Sequence, residues 1–324
     1  MAEAWAILER GRLPQGDQAK QTTLGLNSKD FLQKLRKRKR GAVPLGIPEL
    51  DKLWEGGYRP GELGIMLGST GVGKSMLLCF LAAEAYWANA SVLYYTYELT
   101  REQIRDRIAL GIIQKGKLDT KGTWEAELRA RAKRRGLNDP PVAEISVRDS
   151  ESASTWPELV ADIERYKDAN GKYPDLLILD SADDIAPLNK RAAGHEDLKD
   201  AFVFLRNLAQ EKKIRVWTSG QLTRDAVEKA RISLRNIGGA YAKAQKSHYV
   251  LGFSQTEDDR IHEDGPKLWM YVLKDSLHGT AGLPGVSFGR GRWSKASSGR
   301  PRLPKFVVCL KGELFRICIR SKGR

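Results

Sequence analysis

The stretch Gly68-Ser-Thr-Gly-Val-Gly-Lys-Ser75 decides the fold of this chain. It has the spacing G-x-x-x-x-G-K-[ST], in which glycines let the backbone wrap around a row of phosphates without Cβ clashes. A short, apolar, strand-like segment (62–67) precedes it, and a segment with apolar residues at helical spacing (76–87) follows it. Because strand, glycine loop and helix is the order that this motif needs, we predict a phosphate-binding loop at the start of a helix.

The motif also predicts which side chains contact a bound nucleotide. Lys74 is expected to reach the β- and γ-phosphates, and the hydroxyl of Ser75 is expected to hold Mg²⁺. Loop amides and the helix N-terminus direct partial positive charge at the same anion. We therefore predict ATP and Mg²⁺ as the bound groups, with the nucleotide held by Gly68, Ser69, Thr70, Gly71, Val72, Gly73, Lys74, Ser75 and Met76.

A second carboxylate follows at the distance expected for such a loop. The apolar run Leu176-Leu-Ile-Leu ends in Asp180, about 105 residues after the loop, and another predicted strand lies between them. A carboxylate at a strand tip can orient Mg²⁺ and its water, so Asp180 is predicted to be the second metal-binding residue. Glu98 and Gln221 likewise come just beyond apolar strands.

Strands and helices alternate along the chain, which is typical of an α/β fold with a mostly parallel sheet and helices on both faces. Ligands of such sheets bind at the carboxyl ends of the strands. We therefore expect Ser75, Glu98, Asp180 and Gln221 to converge on one nucleotide. A strand is also predicted at 142–147, and Thr100 and Gln103 have the spacing of a helix capping box.

Composition limits the class of protein. The 324 residues are 41% hydrophobic and 29% charged, as expected for a globular chain. No apolar run approaches the length of a membrane span, so no membrane partner is predicted. The three cysteines form no C-x-x-C pair. This pattern favours a reduced, cytoplasmic compartment without a zinc site or disulfide framework.

The net charge of +15 is concentrated at the two ends of the chain. Residues 1–40 contain ten Lys and Arg against four Asp and Glu, and residues 289–324 contain eleven against one. Basic ends of this kind favour a polyanion such as DNA or RNA. The alternative is that they are solvated tails that keep the protein soluble.

These motifs resemble those of the RecA-like NTPases, and within them the DnaB-type replicative helicases and the helicase part of phage primase-helicases. The resemblance covers about residues 43–293. It is carried by the phosphate-binding loop, the Asp180 strand and a series of segments in the family's order: 45–51, 60–62, 97–107, 219–224, 234–239, 250–253 and 269–274.

The resemblance implies a role for each strand-end residue. Glu98 would polarise the attacking water as the general base, and Gln221 would sense the γ-phosphate. Lys274 follows the last core strand and would act on the ATP of a neighbouring subunit. The implied assembly is a ring, expected to be a hexamer, that moves along single-stranded DNA. A primase or a helicase loader would be a further partner.

Two basic loops are candidates for contact with nucleic acid. In ring helicases the loop equivalent to 222–237 lines the central channel and grips the backbone of a single strand. Its charges would act on phosphates without sequence specificity. The alternative is a solvated surface loop. The candidate residues are Arg224, Lys229, Arg231 and Arg235 in this loop, and Lys190 and Arg191 in the second loop.

The chain departs from the family pattern in two places. Ser276 stands where the family has an arginine that reaches a neighbour's ATP, although Lys274 is kept. Either Lys274 or a shifted residue such as Arg290 would serve instead, or coupled hydrolysis is weakened. His248 stands where the family has an aspartate.

We predict three regions. Residues 1–42 form a basic arm with a linker helix, 43–293 the ATPase core, and 294–324 a basic tail with a hairpin of 306–310 and 314–319. The preferred function is a ring-forming, ATP-dependent DNA helicase in phage replication. Two alternatives remain: a RecA-, KaiC- or RadA-like ATPase of recombination or repair without ring-helicase activity, and a nucleotide-gated binding module with weak hydrolysis.

Overall fold

The computed structural model describes residues 41–114, 123–149, 151, 153–185, 195–222, 240–255, 267–276, 305–310 and 317–319. Seven helices lie in these ranges: α1 (Pro48–Leu53), α2 (Lys74–Trp87), α3 (Arg101–Ile113), α4 (Trp124–Arg134), α5 (Trp156–Asn170), α6 (His195–Lys212) and α7 (Ala240–Lys246). The strands are β1 (Leu63–Gly68), β2 (Val92–Thr96), β3 (Ile145–Asp149), β4 (Leu176–Asp180), β5 (Arg215–Gln221), β6 (Tyr249–Ser254), β7 (Lys267–Asp275), β8 (Lys305–Leu310) and β9 (Ile317–Ile319).

The nine strands form one sheet in the order β3-β2-β4-β5-β1-β6-β7-β8-β9. Neighbouring strands from β3 through β6 in this order are parallel, and β7, β8 and β9 continue the sheet in antiparallel fashion. The predicted α/β fold with a mostly parallel sheet is therefore confirmed. Because the parallel strands all run in one direction, their carboxyl ends lie along one edge of the sheet.

The central strand β1 is buried along its whole length. Ile65 and Leu67 belong to the core on one face of the sheet, and Met66 belongs to the core on the other. A strand covered on both faces has a continuous apolar run rather than an alternating one, as the 62–67 segment indicated. Gly64 lies against Trp217, and a Cβ at this glycine would come within 2.5 Å of the indole ring.

Helix α3 begins as the capping pattern predicted. The side chain of Thr100 accepts a hydrogen bond from the backbone N–H of Gln103, and the side chain of Gln103 accepts one from the N–H of Thr100. The helix packs its apolar side against the phosphate-binding helix α2, with Ile104 and Ile108 buried in the same core. The end of β2 and the start of α3 are thereby held in a defined turn.

The strand predicted at 142–147 begins three residues later and ends two residues later than predicted. β3 is Ile145–Asp149, and it pairs from Val92↔Ile145 to Thr96↔Asp149. β2 begins at Val92, whose N–H still donates to the carbonyl of Glu144, and Val142 is 92% exposed.

The predicted hairpin near the C-terminus is present as β8 and β9, which pair from Val308↔Ile319 to Leu310↔Ile317. It joins β7 and so extends the sheet of the core. The boundaries of the three regions stay a prediction, and the predicted helix before Gly41 lies outside the described residues. Among the helices that the structure describes, none is long and apolar enough to cross a membrane.

Candidate nucleotide-binding site

The glycine loop connects β1 to α2 at the carboxyl edge of the sheet. Gly71 and Gly73 adopt φ values of +76° and +97°, which side chains with a Cβ rarely adopt. Gly68 is needed for a different reason, because a Cβ there would come within 2.6 Å of Cγ1 of Val72. Val72 is itself buried in the core, so it anchors the loop rather than facing a ligand.

Lys74 is held inside the loop. Its Nζ donates to the backbone carbonyls of Gly68 at 3.2 Å and Ser69 at 2.9 Å. Burial lowers the pKa of the Lys74 amine from its ordinary value, and the negative charges of Glu98, Asp180 and Asp183 oppose that decrease. The loop therefore concentrates one positive charge at the point where the motif requires it.

Asp180 is buried, and two hydroxyl groups orient its carboxylate. Tyr94 Oη donates to Oδ2 at 3.0 Å, and Ser219 Oγ donates to Oδ1 at 2.8 Å. Burial raises the pKa of Tyr94 far above its ordinary value, with the nearby acidic groups adding to the effect, so this phenol stays a donor. The carboxylate keeps further lone pairs available to a ligand.

Glu98 lies just beyond β2, in a turn that Thr96 stabilises. Thr96 Oγ1 donates to the carbonyl of Leu99 at 2.9 Å and accepts from the N–H of the same residue at 3.2 Å. Thr96 is directly opposite Asp180 in the register of β2 and β4, so the two predicted acids follow adjacent strands. Glu98 is exposed, which the predicted role of a base that contacts water requires.

Gln221 is the last residue of β5 and is opposite Gly68, the first residue of the glycine loop. The next residue, Leu222, donates its N–H to the carbonyl of Gly68 at 3.3 Å. Gln221 is exposed, whereas Leu222 is buried. The end of β5 is therefore attached directly to the start of the phosphate-binding loop.

These strand ends enclose a single cavity of about 390 Å³. Six of the predicted nucleotide-binding residues line it, together with Glu98, Asp180 and Gln221. Gly68, Ser69 and Val72 do not line it and support the loop from behind. The full lining is Thr70, Gly71, Gly73, Lys74, Ser75, Met76, Glu98, Leu99, Arg107, Asp180, Ser181, Ser219, Gly220 and Gln221.

Arg107 also lines the cavity, although the sequence did not predict it as a site residue. It is the charged residue that the structure adds to the predicted set. It lies on the second turn of α3, nine residues after Glu98, and its side chain is half-buried. The sequence held one indication that Arg107 belongs to the site: it is the last residue of the 97–107 segment, one of the segments that resemble the DnaB-type helicases. A guanidinium in the cavity lining adds a second positive charge for an anionic ligand.

The residues of the cavity fit a magnesium nucleotide. The hydroxyl of Ser75 and the carboxylate of Asp180 are oxygen donors, which Mg²⁺ prefers, and both line the cavity. The described residues contain no cluster of three or more His, Cys, Asp and Glu side chains that could hold a metal ion. This suits Mg²⁺, which is usually held by one or two protein oxygens together with phosphates and water.

Lys274 lies at the other edge of the sheet. It is opposite Val250 in the antiparallel pairing of β6 with β7, whereas the glycine loop is next to Phe253 at the far end of β6. Its Nζ donates to the carbonyls of Ala244 and Gln245 at the end of α7. Within one chain Lys274 is therefore remote from the cavity, and its predicted role stays a prediction about a neighbouring subunit.

The predicted nucleic-acid residues could not be compared with the structure. They all fall outside the described residues, as does Arg290. The residues in question are Lys190, Arg191, Arg224, Lys229, Arg231 and Arg235.

The fold belongs to the RecA-like α/β class, and its cavity is lined by residues of a glycine loop with the P-loop spacing. The profile of the DnaB-like helicase C terminal domain matches residues 42–234. The chain belongs to this family, which confirms the resemblance drawn from the motifs.

Individual relatives agree with this assignment. A DnaB-like replicative helicase of Enterobacteria phage T4 is 23% identical over 237 residues, which cover 70% of this chain and 48% of the relative. The chain thus spans about half the length of that relative. The DNA repair protein RadA of Mycobacterium tuberculosis is 41% identical over 71 residues, covering 21% of this chain and 15% of RadA.

Two solved structures share the fold. One is described as an ATPase domain; it has a TM-score of 0.62 and 14% identity, and the match covers 79% of this chain and 93% of the other. The second is a DnaB-like replicative helicase described with its interactions with primase. It has a TM-score of 0.64 and 13% identity over 90% of this chain and 67% of the other.

Proposed function

We propose that this chain is the ATP-hydrolysing motor of a DNA helicase that translocates on single-stranded DNA and unwinds duplex during replication, in a phage context. The observation that carries the proposal is the meeting of Lys74, Glu98, Asp180 and Gln221 at one cavity. These residues come from four different strand ends and supply a phosphate-binding cation, a base, a metal ligand and a polar sensor. Membership of the DnaB-like helicase family favours DNA as the polymer on which the motor acts.

The chemistry follows from the arrangement of the side chains. Lys74 and the loop amides would neutralise the phosphates of ATP, and Arg107 would add a further positive charge from the cavity lining. Ser75 and Asp180 would hold Mg²⁺, which neutralises charge on the phosphates when bound. Glu98 would accept the proton of the attacking water.

Coupling to DNA would begin at Gln221. This residue lies at the cavity, and the predicted nucleic-acid loop 222–237 begins immediately after it. A side chain that contacts the γ-phosphate before hydrolysis loses that contact afterwards, which changes the position that the end of β5 prefers. The loop would transfer this change to the backbone of the strand that it grips.

The proposed assembly is a ring, expected to be a hexamer, in which each nucleotide lies between two subunits. The position of Lys274 away from this chain's cavity suits this arrangement, since it leaves Lys274 free to act on another subunit's nucleotide. A primase or a helicase loader is proposed as a further partner, and a cytoplasmic location as the site of action.

Steady-state release of phosphate from ATP and Mg²⁺, with and without single-stranded DNA, tests the proposal. We expect strong stimulation by DNA, and strand displacement on a forked duplex. Turnover that ignores DNA would instead indicate an ATPase that acts on protein, and binding without turnover would indicate a nucleotide-gated module.

The local similarity to RadA supports a second candidate, a DNA-dependent ATPase of recombination or repair. Both candidates predict stimulation of hydrolysis by single-stranded DNA, so the forked duplex distinguishes them. The helicase displaces a strand, and the recombination ATPase does not.

A further inference from the structure

An ion pair between a buried lysine and a partly buried aspartate lies next to the cavity and takes no part in the proposed chemistry. Asp183 belongs to the short 3-10 helix Ala182–Asp184 that follows β4, three residues after Asp180. Thr218 holds this turn against β5, because its Oγ1 accepts from the N–H of Ala182 at 3.0 Å and donates to the carbonyl of Leu179 at 2.8 Å. The position of Asp183 is therefore tied to the ends of both strands.

The carboxylate of Asp183 also lies close to the backbone of the cavity wall. A Cβ built on Gly220 would be 3.7 Å from Oδ2 of Asp183. Gly220 lines the cavity together with the residues on either side of it, Ser219 and Gln221. A displacement of this wall would therefore also displace the carboxylate of Asp183.

The partner of Asp183 is Lys243 on α7. The ammonium group lies 2.6 Å from Oδ1 and 2.5 Å from Oδ2, so it bridges both oxygens. The side chain of Lys243 is only 6% exposed, against 22% for Asp183. A buried ammonium is costly to desolvate, so the position of Lys243, and of α7 with it, depends on the carboxylate.

The C-terminal end of α7, directly after Lys243, is held by a residue remote from the cavity. Lys274 donates to the carbonyls of Ala244 and Gln245, which satisfies groups that a helix C-terminus leaves unpaired. In the sequence, α7 begins at Ala240, shortly after the predicted nucleic-acid loop ends at residue 237. Along the chain, the predicted loop therefore connects Gln221 of the cavity wall to α7.

We propose that the Asp183–Lys243 ion pair is the positioning link through which the state of the nucleotide cavity is transmitted to α7. This inference rests on the proposed function for its consequence, because α7 continues the segment predicted to grip DNA. Neither side chain lines the cavity, so both are positioning residues and not catalytic ones.

The pair has a second, electrostatic consequence. Asp183 is one of three carboxylates whose charge acts on Lys74, the others being Glu98 and Asp180. Without Lys243, Asp183 would add an uncompensated negative charge beside a site for a polyanion. Removal of the lysine alone should therefore raise the KM for ATP several-fold, whereas removal of both charges should not.

The decisive variant is the doubly uncharged chain Asp183→Asn/Lys243→Met. It leaves no buried charge without a partner, so the fold should be kept, which thermal unfolding checks. We expect basal ATP hydrolysis and KM close to those of the unchanged protein, and a loss of stimulation by single-stranded DNA of about tenfold. Wild-type stimulation in this variant would overturn the link.

A second variant, Asp183→Lys/Lys243→Asp, exchanges the two charged residues and restores an ion pair with reversed polarity. Partial recovery of the stimulation is expected, because the link requires attraction between the two positions and not a particular sign. Lys246→Met is the matched control, since Lys246 lies on the same helix and has no ion pair among the described residues. It should behave as the unchanged protein.

Hydrogen exchange separates failure of the link from failure of the proposed function. On addition of a non-hydrolysable ATP analogue, the amides of 240–246 should become more protected in the unchanged protein and not in the doubly uncharged one. An equal response in both would overturn the link whether or not DNA stimulates hydrolysis. A pair-dependent response in a protein that ignores DNA would support the link and refute the helicase proposal.

Discussion

At the scale of single residues, the cavity combines exposed groups with buried groups that orient them. Asp180 is held by Tyr94 and Ser219, while Glu98 and Gln221 reach the cavity from exposed positions. A buried, hydrogen-bonded carboxylate has one orientation, which suits a metal ligand. An exposed carboxylate at the same edge can exchange protons with water, which suits a base.

Glu98→Gln tests the role of the base. The amide cannot accept a proton from water, so kcat should fall about 10²- to 10⁴-fold. Binding of ATP should be kept, because Glu98 does not belong to the glycine loop. Fluorescent nucleotide titration and phosphate release measure the two quantities, and Lys74→Ala, which should lose both, is the comparison. Phosphate release that persists in Glu98→Gln would remove Glu98 as the base.

Arg107→Ala tests the residue that the structure added to the site. Loss of a cation from the cavity wall should lower kcat/KM for ATP by about tenfold or more, since hydrogen bonds to charged groups are among the stronger ones. Arg105→Ala is the matched control, because Arg105 lies on the same helix, is exposed and does not line the cavity. Equal effects of the two changes would mean that Arg107 acts only through general charge.

At the scale of elements, one histidine ties the start of β6 to β1. His248 Nδ1 accepts from the N–H of Leu63 at 2.9 Å, and the N–H of His248 donates to the carbonyl of Leu63 at 2.7 Å. Burial, with the positive charges of Arg206 and Lys274, lowers the pKa of His248 to about 4. The imidazole must be neutral at Nδ1 to accept this bond.

A pH dependence of stability follows from this shift. The unfolded chain takes up a proton near the ordinary pKa of 6.5, whereas the folded chain does so only near 4. The stabilising contribution is therefore complete above pH 6.5 and is lost as the pH falls toward 4. His248→Asn keeps an acceptor without a titrating group, so its Tm should fall less between pH 8 and pH 5. Parallel decreases in both proteins would contradict this account.

At the scale of the whole molecule, the sheet separates the two halves of the proposed interface between subunits. The cavity lies at the carboxyl edge, and the end of β7, with Lys274 and Ser276, lies at the other. Ser276 is exposed, so a longer side chain could extend from this position without disturbing the core. A nucleotide site formed by residues of two subunits would require these two groups of residues at opposite edges of the sheet.

Ser276→Arg tests whether the chain lacks the arginine that, in the family pattern, reaches the ATP of a neighbouring subunit. If it does, turnover should rise by about tenfold or more, since an arginine supplied by a neighbour stabilises charge in phosphoryl transfer. Ser276→Gln, which has length but no charge, should give no gain. A chain with both Ser276→Arg and Lys74→Ala, mixed with the unchanged protein, should raise turnover only if the arginine acts between subunits. No gain, combined with an inactive Arg290→Ala, would assign the role to Arg290 instead.

Much of the site was predictable because its signals are local in the chain. The glycine loop, the acids at the ends of β2 and β4 and the glutamine at the end of β5 each follow an apolar run that can be recognised in the sequence alone. Parallel strands bring their ends together whatever their order in the sheet, so the convergence of Ser75, Glu98, Asp180 and Gln221 could be expected from the sequence.

The sequence by itself thus determined the class of fold, the family and the core of the candidate nucleotide site. The tertiary structure decided which side chains meet across elements: that Arg107 lines the cavity, that Lys243 reaches Asp183, and that Lys274 caps α7 at the far edge. Such contacts depend on strand order, helix rotation and side-chain direction. No spacing along the chain encodes these properties, because the partners lie 60 and 30 residues apart and meet only through packing.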